Sequence, residues 1–439
     1  MRKSILSPFV SLVVSLVFLP VAYAEITADD IDQAAEAAQP QVVEWRRWFH
    51  QNPELSNREF NTSAKIAEIL RDMGLEPQTG IAHTGIIAII EGGKPGPLVA
   101  IRTDIDGLPV EEQTGLPYAS TARAEYNGED VGVMHACGHD AHMAMVLGAA
   151  KILNDMKADL PGSVMLIFQP AEEGPPIGEE GGASLMLDEG IFEERMPEAV
   201  FGIHVGISTP GGQFSVKPGP MMAASDFFKV VVKGKQTHGA RPWDGVDPVV
   251  VSSQIVLGLQ TIASRQVDVT LAPSIISVGR ITGGIRYNVI PDSVEMQGTI
   301  RTFDPAMREY IHSAIERTAQ GIAESAGAEA EVEILQGPPA VQNNAGLTAL
   351  VMPALERASG KPVLSIQPQT VAEDFSEYGA VTPAVFVFLG NWPEEMDPSS
   401  QPTNHSPYFH MHEPYMERGV KAFGHMVVDF LNSKATDGQ

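Results

Sequence analysis

Cysteine is almost missing from this chain, with a single residue, Cys137, in 439. No internal disulfide can form, so the thiol needs another explanation. Positive charge is also scarce: 29 Lys and Arg stand against 55 Asp and Glu, for a formal net charge of -26. A surface that negative repels phosphate backbones and anionic lipid, which argues against nucleic-acid and peripheral-membrane roles. Beyond the first 24 residues no stretch is long and apolar enough to cross a bilayer. No H-E-x-x-H helix, G-x-S-x-G elbow, G-x-x-x-x-G-K loop or clean dinucleotide fingerprint is present, so those catalytic schemes drop out. Repeats of solenoid type and low-complexity tracts are absent as well. What remains is a chain 44% hydrophobic and 19% charged, a globular composition that rules out disorder. Its length exceeds what one hydrophobic core usually serves, which predicts two domains of unequal size.

The N-terminus carries Arg2 and Lys3, an apolar run from Ile5 to Val21 and then Ala22-Tyr23-Ala24. Residues 1–24 therefore read as a secretory signal peptide, cleaved before Glu25. Pro8, Pro20 and the A-x-A ending favour removal over a retained anchor. No cysteine lies near the cleavage site, so lipid attachment has no acceptor. The expected location is periplasmic or secreted, with no membrane association after signal removal.

The mature chain alternates helical and strand patterns, the mark of an α/β layer architecture. Helical spacing covers Asp29 to Phe49, Ser63 to Met73 and Ala144 to Met156. Strand patterns fall at Gly85 to Ile90, Leu98 to Ile101, Ser163 to Phe168 and Ala199 to Val205. From Phe227 the order becomes β-α-β-β-α-β, ending with a strand at Ala330 to Leu335, which is the ferredoxin-like split unit. The fold expected is α/β, with a catalytic domain of residues 25–223 and 336–439 interrupted by an inserted ferredoxin-like domain of residues 224–335.

Twelve histidines predict roughly 0.2 in any eight-residue window, yet His135, His139 and His142 share one such window around Cys137. The segment reads as a loop before a helix, where several side chains converge. Thiolate and imidazole together suit zinc and its neighbours in the transition series. Glu172-Glu173 follows one apolar strand and His204 ends another, and ligands gather at the carboxyl ends of strands in open α/β sheets. One site can thus collect Cys137, His139, Glu173 and His204. Glu172, beside a metal-bound Glu173, is free to accept and deliver a proton. Asp104 follows a further strand and can orient a ligand from behind. Spacing alone leaves His135 and His142 open as ligands. It also leaves open a Cys-His nucleophilic hydrolase built on Cys137.

The strings RTDIDGLPV, HACGHDAHMAM, FQPAEEG, GIHV, THGARPWDGVDP, NVIPD, AEDFSEY and NHSPYF run through the mature chain in this order. In them the sequence resembles the binuclear metal-dependent amidohydrolase and carboxypeptidase family of hippurate hydrolases, N-acyl-amino-acid amidohydrolases and indoleacetyl-amino-acid hydrolases. That resemblance implies a mixed-sheet, metallopeptidase-like catalytic domain and an inserted domain that serves as lid and dimer surface. It implies two divalent ions, zinc, manganese, cobalt or nickel, held by Cys137, His139, Glu173, His204 and His405, with Cys137 at the bridging position. Glu172 takes the general-base position and Asp104 that of the acid that steadies the site. His238 would stabilise the oxyanion, in some relatives from the partner subunit. Asn288 and Arg301 would hold the substrate's carbonyl and carboxylate, and Glu373 and Asp374 receive no role. The implied protein is an exported homodimer hydrolysing the amide of an N-acyl or N-aroyl amino acid. A dipeptidase or carboxypeptidase with the same chemistry, acting on a short peptide, is the alternative, followed by a catalytically dead periplasmic binding protein.

Overall fold

Strands Pro161–Gln169 and Ala384–Gly390 are buried at every position, which requires cover on both faces of the sheet that holds them. The computed structural model supplies that cover for residues 25–437 apart from 395, 398 and 399, which are the residues it describes. The segment read as a signal peptide lies outside them. Among the described residues no helix is long and apolar enough to cross a membrane.

The two strands belong to an eight-stranded sheet. Its order is Gln78–Ile81, Gly85–Glu91, Pro161–Gln169, Lys94–Asp104, Val200–Gly211, Ala384–Gly390, Phe214–Val216, Leu364–Ser365. Four neighbours, from Pro161–Gln169 to Ala384–Gly390, run parallel. Gly85–Glu91 and Phe214–Val216 flank them antiparallel, so the sheet is mixed. Parallel strands share one carboxyl edge, and the chain leaving Asp104 and Gln169 emerges there with the His204 stretch.

Helix His139–Asp155 is buried at nearly every position, as expected of a helix apolar all round. It packs against Ala28–Gln51 and Met416–Asp437. The approach is close: a Cβ on Gly148 would lie 2.7 Å from both Val42 and Val420 side-chain atoms. The sequence pattern starts this helix near Ala144 and leaves His139 and His142 in a loop, whereas the structure takes both into its first turn. No Ser, Thr, Asp or Asn caps it. Gly138, with φ +97°, occupies the cap position without a side-chain bond, so the usual start signal is missing.

Residues Ala224–Gln336 build a second unit with its own core of residues such as Phe228, Val232, Ile255, Met296, Ile300 and Ile311. Strand Ala224–Lys233, helix Pro248–Thr261, strands Ser274–Thr282 and Ser293–Thr302, helix Pro305–Ser325 and strand Glu329–Gln336 follow in that order. Their sheet runs Ser274–Thr282, Ser293–Thr302, Ala224–Lys233, Glu329–Gln336, every pair antiparallel. This is the βαββαβ arrangement. Its last strand ends at Gln336, one residue past the boundary expected. Asp304 caps the second helix by accepting from the Met307 N–H at 2.8 Å. Short pairs such as Thr237–His238 with Val289–Ile290 leave no periodicity to detect.

Candidate metal centre

Cys137 stands where two groups of donor atoms meet. The ligand atoms of Cys137, His139 and His204 lie within 4.8 Å of one another, and so do those of Cys137, Glu173 and His405. All five residues expected to bind metal are therefore brought together, with the sulfur common to both groups. Cys137 Sγ is 3.5 Å from His204 Nε2, and His405 Nε2 is 3.1 Å from Glu173 Oε1. Gly138 lets the chain turn between its two neighbouring donors: its φ is +97°, and a Cβ there would run into the Val205 side chain. Ala171 and His405 also adopt left-handed backbone, at φ 53° and 69°. Strain of this kind in residues other than glycine collects at functional sites.

Hydrogen bonds at the far ring nitrogen decide what each imidazole can do. His139 Nδ1 donates to the Asp106 carbonyl at 2.9 Å, with Asp106 Oδ1 at 3.2 Å. Its Nε2 lone pair then faces the cluster, buried and without a hydrogen-bond partner. His204 Nδ1 donates to the Val205 carbonyl at 2.7 Å, which likewise frees Nε2. His142 has nothing left to offer: Nδ1 donates to Asp104 Oδ1 at 2.7 Å, and Nε2 accepts from the Val205 N–H at 2.9 Å. His135 joins none of these donor groups, and burial pulls it down to about 4, so it is neutral.

Asp104 stands one step further back than the sequence suggests. Its carboxylate takes His142 and, at 2.9 Å, Arg102, while His139 Nδ1 is 3.8 Å away. The acid that orients a donor directly is Asp106, which also accepts from the Glu173 backbone N–H at 3.0 Å and Ser56 Oγ at 2.8 Å. Asp106 thus fixes His139 and Glu173 together. Its only trace in the sequence is its place two residues on in the same motif, after the strand has ended.

Local sequence gives Arg102 no role, yet its buried guanidinium holds Asp104 at 2.9 Å, Glu373 at 3.0 Å and Asp374 at 2.9 Å, and Gln169 at 2.8 Å. Glu373 and Asp374 accordingly stand against its guanidinium, while Asp104, held well below the ordinary carboxylate range, is its ionised partner. Glu172 lies beside this pair, with Oε2 3.8 Å from His139 Nε2. Burial, then the carboxylates of Glu373 and Glu173, push Glu172 well above the ordinary carboxyl range. Burial likewise pushes Glu373 up to about 8, against the pull of Arg102. The Cys137 thiol is raised too, by burial and then by Glu173.

A cavity of about 380 Å³ opens on the cluster. Glu172, Glu173 and Glu373 line it together with the apolar Val205, Met222, Val371 and Phe388, and no lysine or arginine is among its described lining residues. His238, Asn288 and Arg301 do not reach this cavity. His238 is exposed and sits beside Asn288, whose carbonyl accepts from the Gly239 N–H at 2.9 Å. Arg301 is half-buried on its strand, donating to the Ile300 carbonyl at 3.1 Å and to the Thr299 hydroxyl.

The donor set fits two divalent cations. Imidazole nitrogens with fixed tautomers, a carboxylate and a shared sulfur converge, and one buried nitrogen there is unpartnered. Residues 100–429 match the profile of peptidase family M20/M25/M40. The chain is 39% identical over 393 residues to thermostable carboxypeptidase 1 of Saccharolobus solfataricus, covering 89% of this chain and 95% of that protein. It is 39% identical over 374 residues to the N-acetyl-L-cysteine deacetylase of Bacillus subtilis, covering 83% and 86%. Among solved structures it is similar to the YXEP protein of Bacillus subtilis, a dinuclear metal binding peptidase from the M20 family. The TM-score is 0.76 and the identity 35%, over 90% of this chain and 99% of that one.

Proposed function

The chain belongs to peptidase family M20/M25/M40, and from that premise we propose that it hydrolyses the amide of an N-acyl or N-aroyl amino acid. The observation that carries this reading is the single sulfur shared by two donor groups, with a second carboxyl, Glu172, alongside His139 and Glu173. Cys137, His139, Glu173, His204 and His405 would hold two divalent ions, and Asp104 and Asp106 would support them from behind. When bound, the ions polarise the amide carbonyl and lower the pKa of the attacking water. Glu172 takes the water's proton and returns it to the departing nitrogen. The apolar lining of Val205, Met222, Val371 and Phe388 suits an uncharged acyl group. A substrate carboxylate finds no lysine or arginine among the described lining residues, so it would be met from the lid, where Arg301 offers a bidentate guanidinium and Asn288 an amide. His238 would donate to the developing oxyanion.

The relative named as a carboxypeptidase supports a second reading, a dipeptidase or carboxypeptidase with the same chemistry. A panel of hippurate, N-acetyl amino acids and dipeptides separates the two. In either case, protein stripped with a chelator should lose turnover and regain it with zinc, manganese, cobalt or nickel. Full turnover by metal-free protein would sink both. Intact Glu172 beside Glu173 speaks against a dead binding protein.

We also read the protein as an exported homodimer joined through the lid. Strand Ser274–Thr282 is the edge of its sheet, and Val250, Leu257 and Ile281 are exposed on the same unit. His238, away from its own cavity, would then serve a partner's. Inactive His238→Ala and Glu172→Gln proteins should regain activity on mixing, since one of the two sites in a mixed dimer is intact. No recovery after subunit exchange counts against a shared site. A mature chain beginning at Glu25 outside the cytoplasm is the result expected of export; an uncleaved cytoplasmic chain refutes it.

A further inference from the structure

Asn404 has no place in the chemistry above, yet its side chain stands among three of the proposed ligands. Its Nδ2 lies 3.1 Å from the Cys137 carbonyl oxygen, 3.2 Å from the Val205 carbonyl oxygen and 3.7 Å from Cys137 Sγ. All three neighbours are acceptors, so the amide is held with its two hydrogens inward. The Val205 oxygen is the same atom that takes the His204 Nδ1–H. Asn404 thereby shares the acceptor that sets the His204 tautomer. In the chain it precedes His405, whose own N–H donates to the Ala136 carbonyl at 2.8 Å.

His405 is the least anchored donor of the five, with a side chain 55% exposed and left-handed backbone at φ 69°. Such a conformation persists only where the surroundings over-determine it. The Asn404 amide and the Ala136 bond supply that constraint.

We propose that Asn404 is a positioning residue for the metal centre: one amide clips the Cys137 loop, the end of the His204 strand and the His405 loop together, and donates an N–H to the sulfur that both ions share. The inference rests on the reading of Cys137 as a shared ligand. An N–H bond to a metal-bound thiolate withdraws electron density from sulfur, so its removal makes the sulfur a stronger electron donor. Outer-shell partners of metal ligands are worth roughly 10–100-fold in metal affinity.

Cobalt-loaded parent protein is compared with Asn404→Ala and with Asn404→Asp, which keeps the shape and turns acceptors toward acceptors. Expected are losses of ~10–100-fold in cobalt affinity, larger for Asp than for Ala, and a thiolate-to-cobalt charge-transfer band moved to lower energy. Asn404→Ser, retaining one short donor, should fall between Ala and parent, and provides the comparison if the Asp protein does not fold. A clip that only braces the fold lowers the unfolding midpoints of metal-free and loaded protein equally and leaves band and affinity unchanged; that result overturns the proposal. A parent protein that takes up no cobalt overturns the shared-ligand reading itself, and the inference with it.

Discussion

Glu172→Gln is expected to lose ~10²–10⁴-fold in kcat while keeping both ions and a nearly unchanged KM. Glutamine has the same shape and accepts a hydrogen bond, but it cannot carry a proton from water to nitrogen. The geometry makes the test sharp, because Glu172 and Glu173 are both close to His139 Nε2, at 3.8 and 3.9 Å. Glu173 also reaches His405 at 3.1 Å, whereas Glu172 leans toward the Glu373–Asp374 pair. Metal content measured with turnover decides between them. Glu173→Gln should lose an ion, and Glu172→Gln should not. If Glu172→Gln loses a metal, it is a ligand and the base must be sought elsewhere.

Cys137→Ala has the second large effect expected. Its sulfur belongs to both donor groups, so its loss weakens two ions at once. The decrease in affinity should exceed the ~10–100-fold typical of outer-shell changes, and turnover should vanish at ordinary metal concentrations. Bound metal should also shield the thiol from alkylation. A Cys137→Ala protein that keeps two ions, or a metal-independent activity abolished by alkylation, would establish the nucleophilic cysteine instead.

The sequence exposes the features that repeat over many residues or stand in motifs. The βαββαβ unit is legible because its strands and helices are long and patterned, and its final strand differs from the expected end by one residue, Gln336. Of the donors expected just past strand ends, Glu173 does follow strand Pro161–Gln169, whereas His204 lies within Val200–Gly211 and His139 opens a helix with Cys137 just before it. What is not legible depends on which atom faces which. Asp104 and Asp106 are alike in sequence, and only the path after the strand gives His139 to Asp106. His142 matches His139 in type and lies one turn away, but both its nitrogens are already bonded. Glu373 and Asp374 pair with Arg102 across 272 residues of chain, a separation that local patterns cannot bridge.

The three carboxyls that line the cavity bear on its charge. Glu172, Glu173 and Glu373 face the space a substrate must enter, and Arg102 behind them is already engaged by three acids. Burial and neighbouring carboxylates hold Glu172 and Glu373 toward their neutral forms, while Cys137 and Glu173 raise His405, on the same cavity, to about 10. On the function proposed above, divalent ions held by the five donors would draw these carboxyls into their ionised forms, so cation loading would set the charge that a conjugate meets.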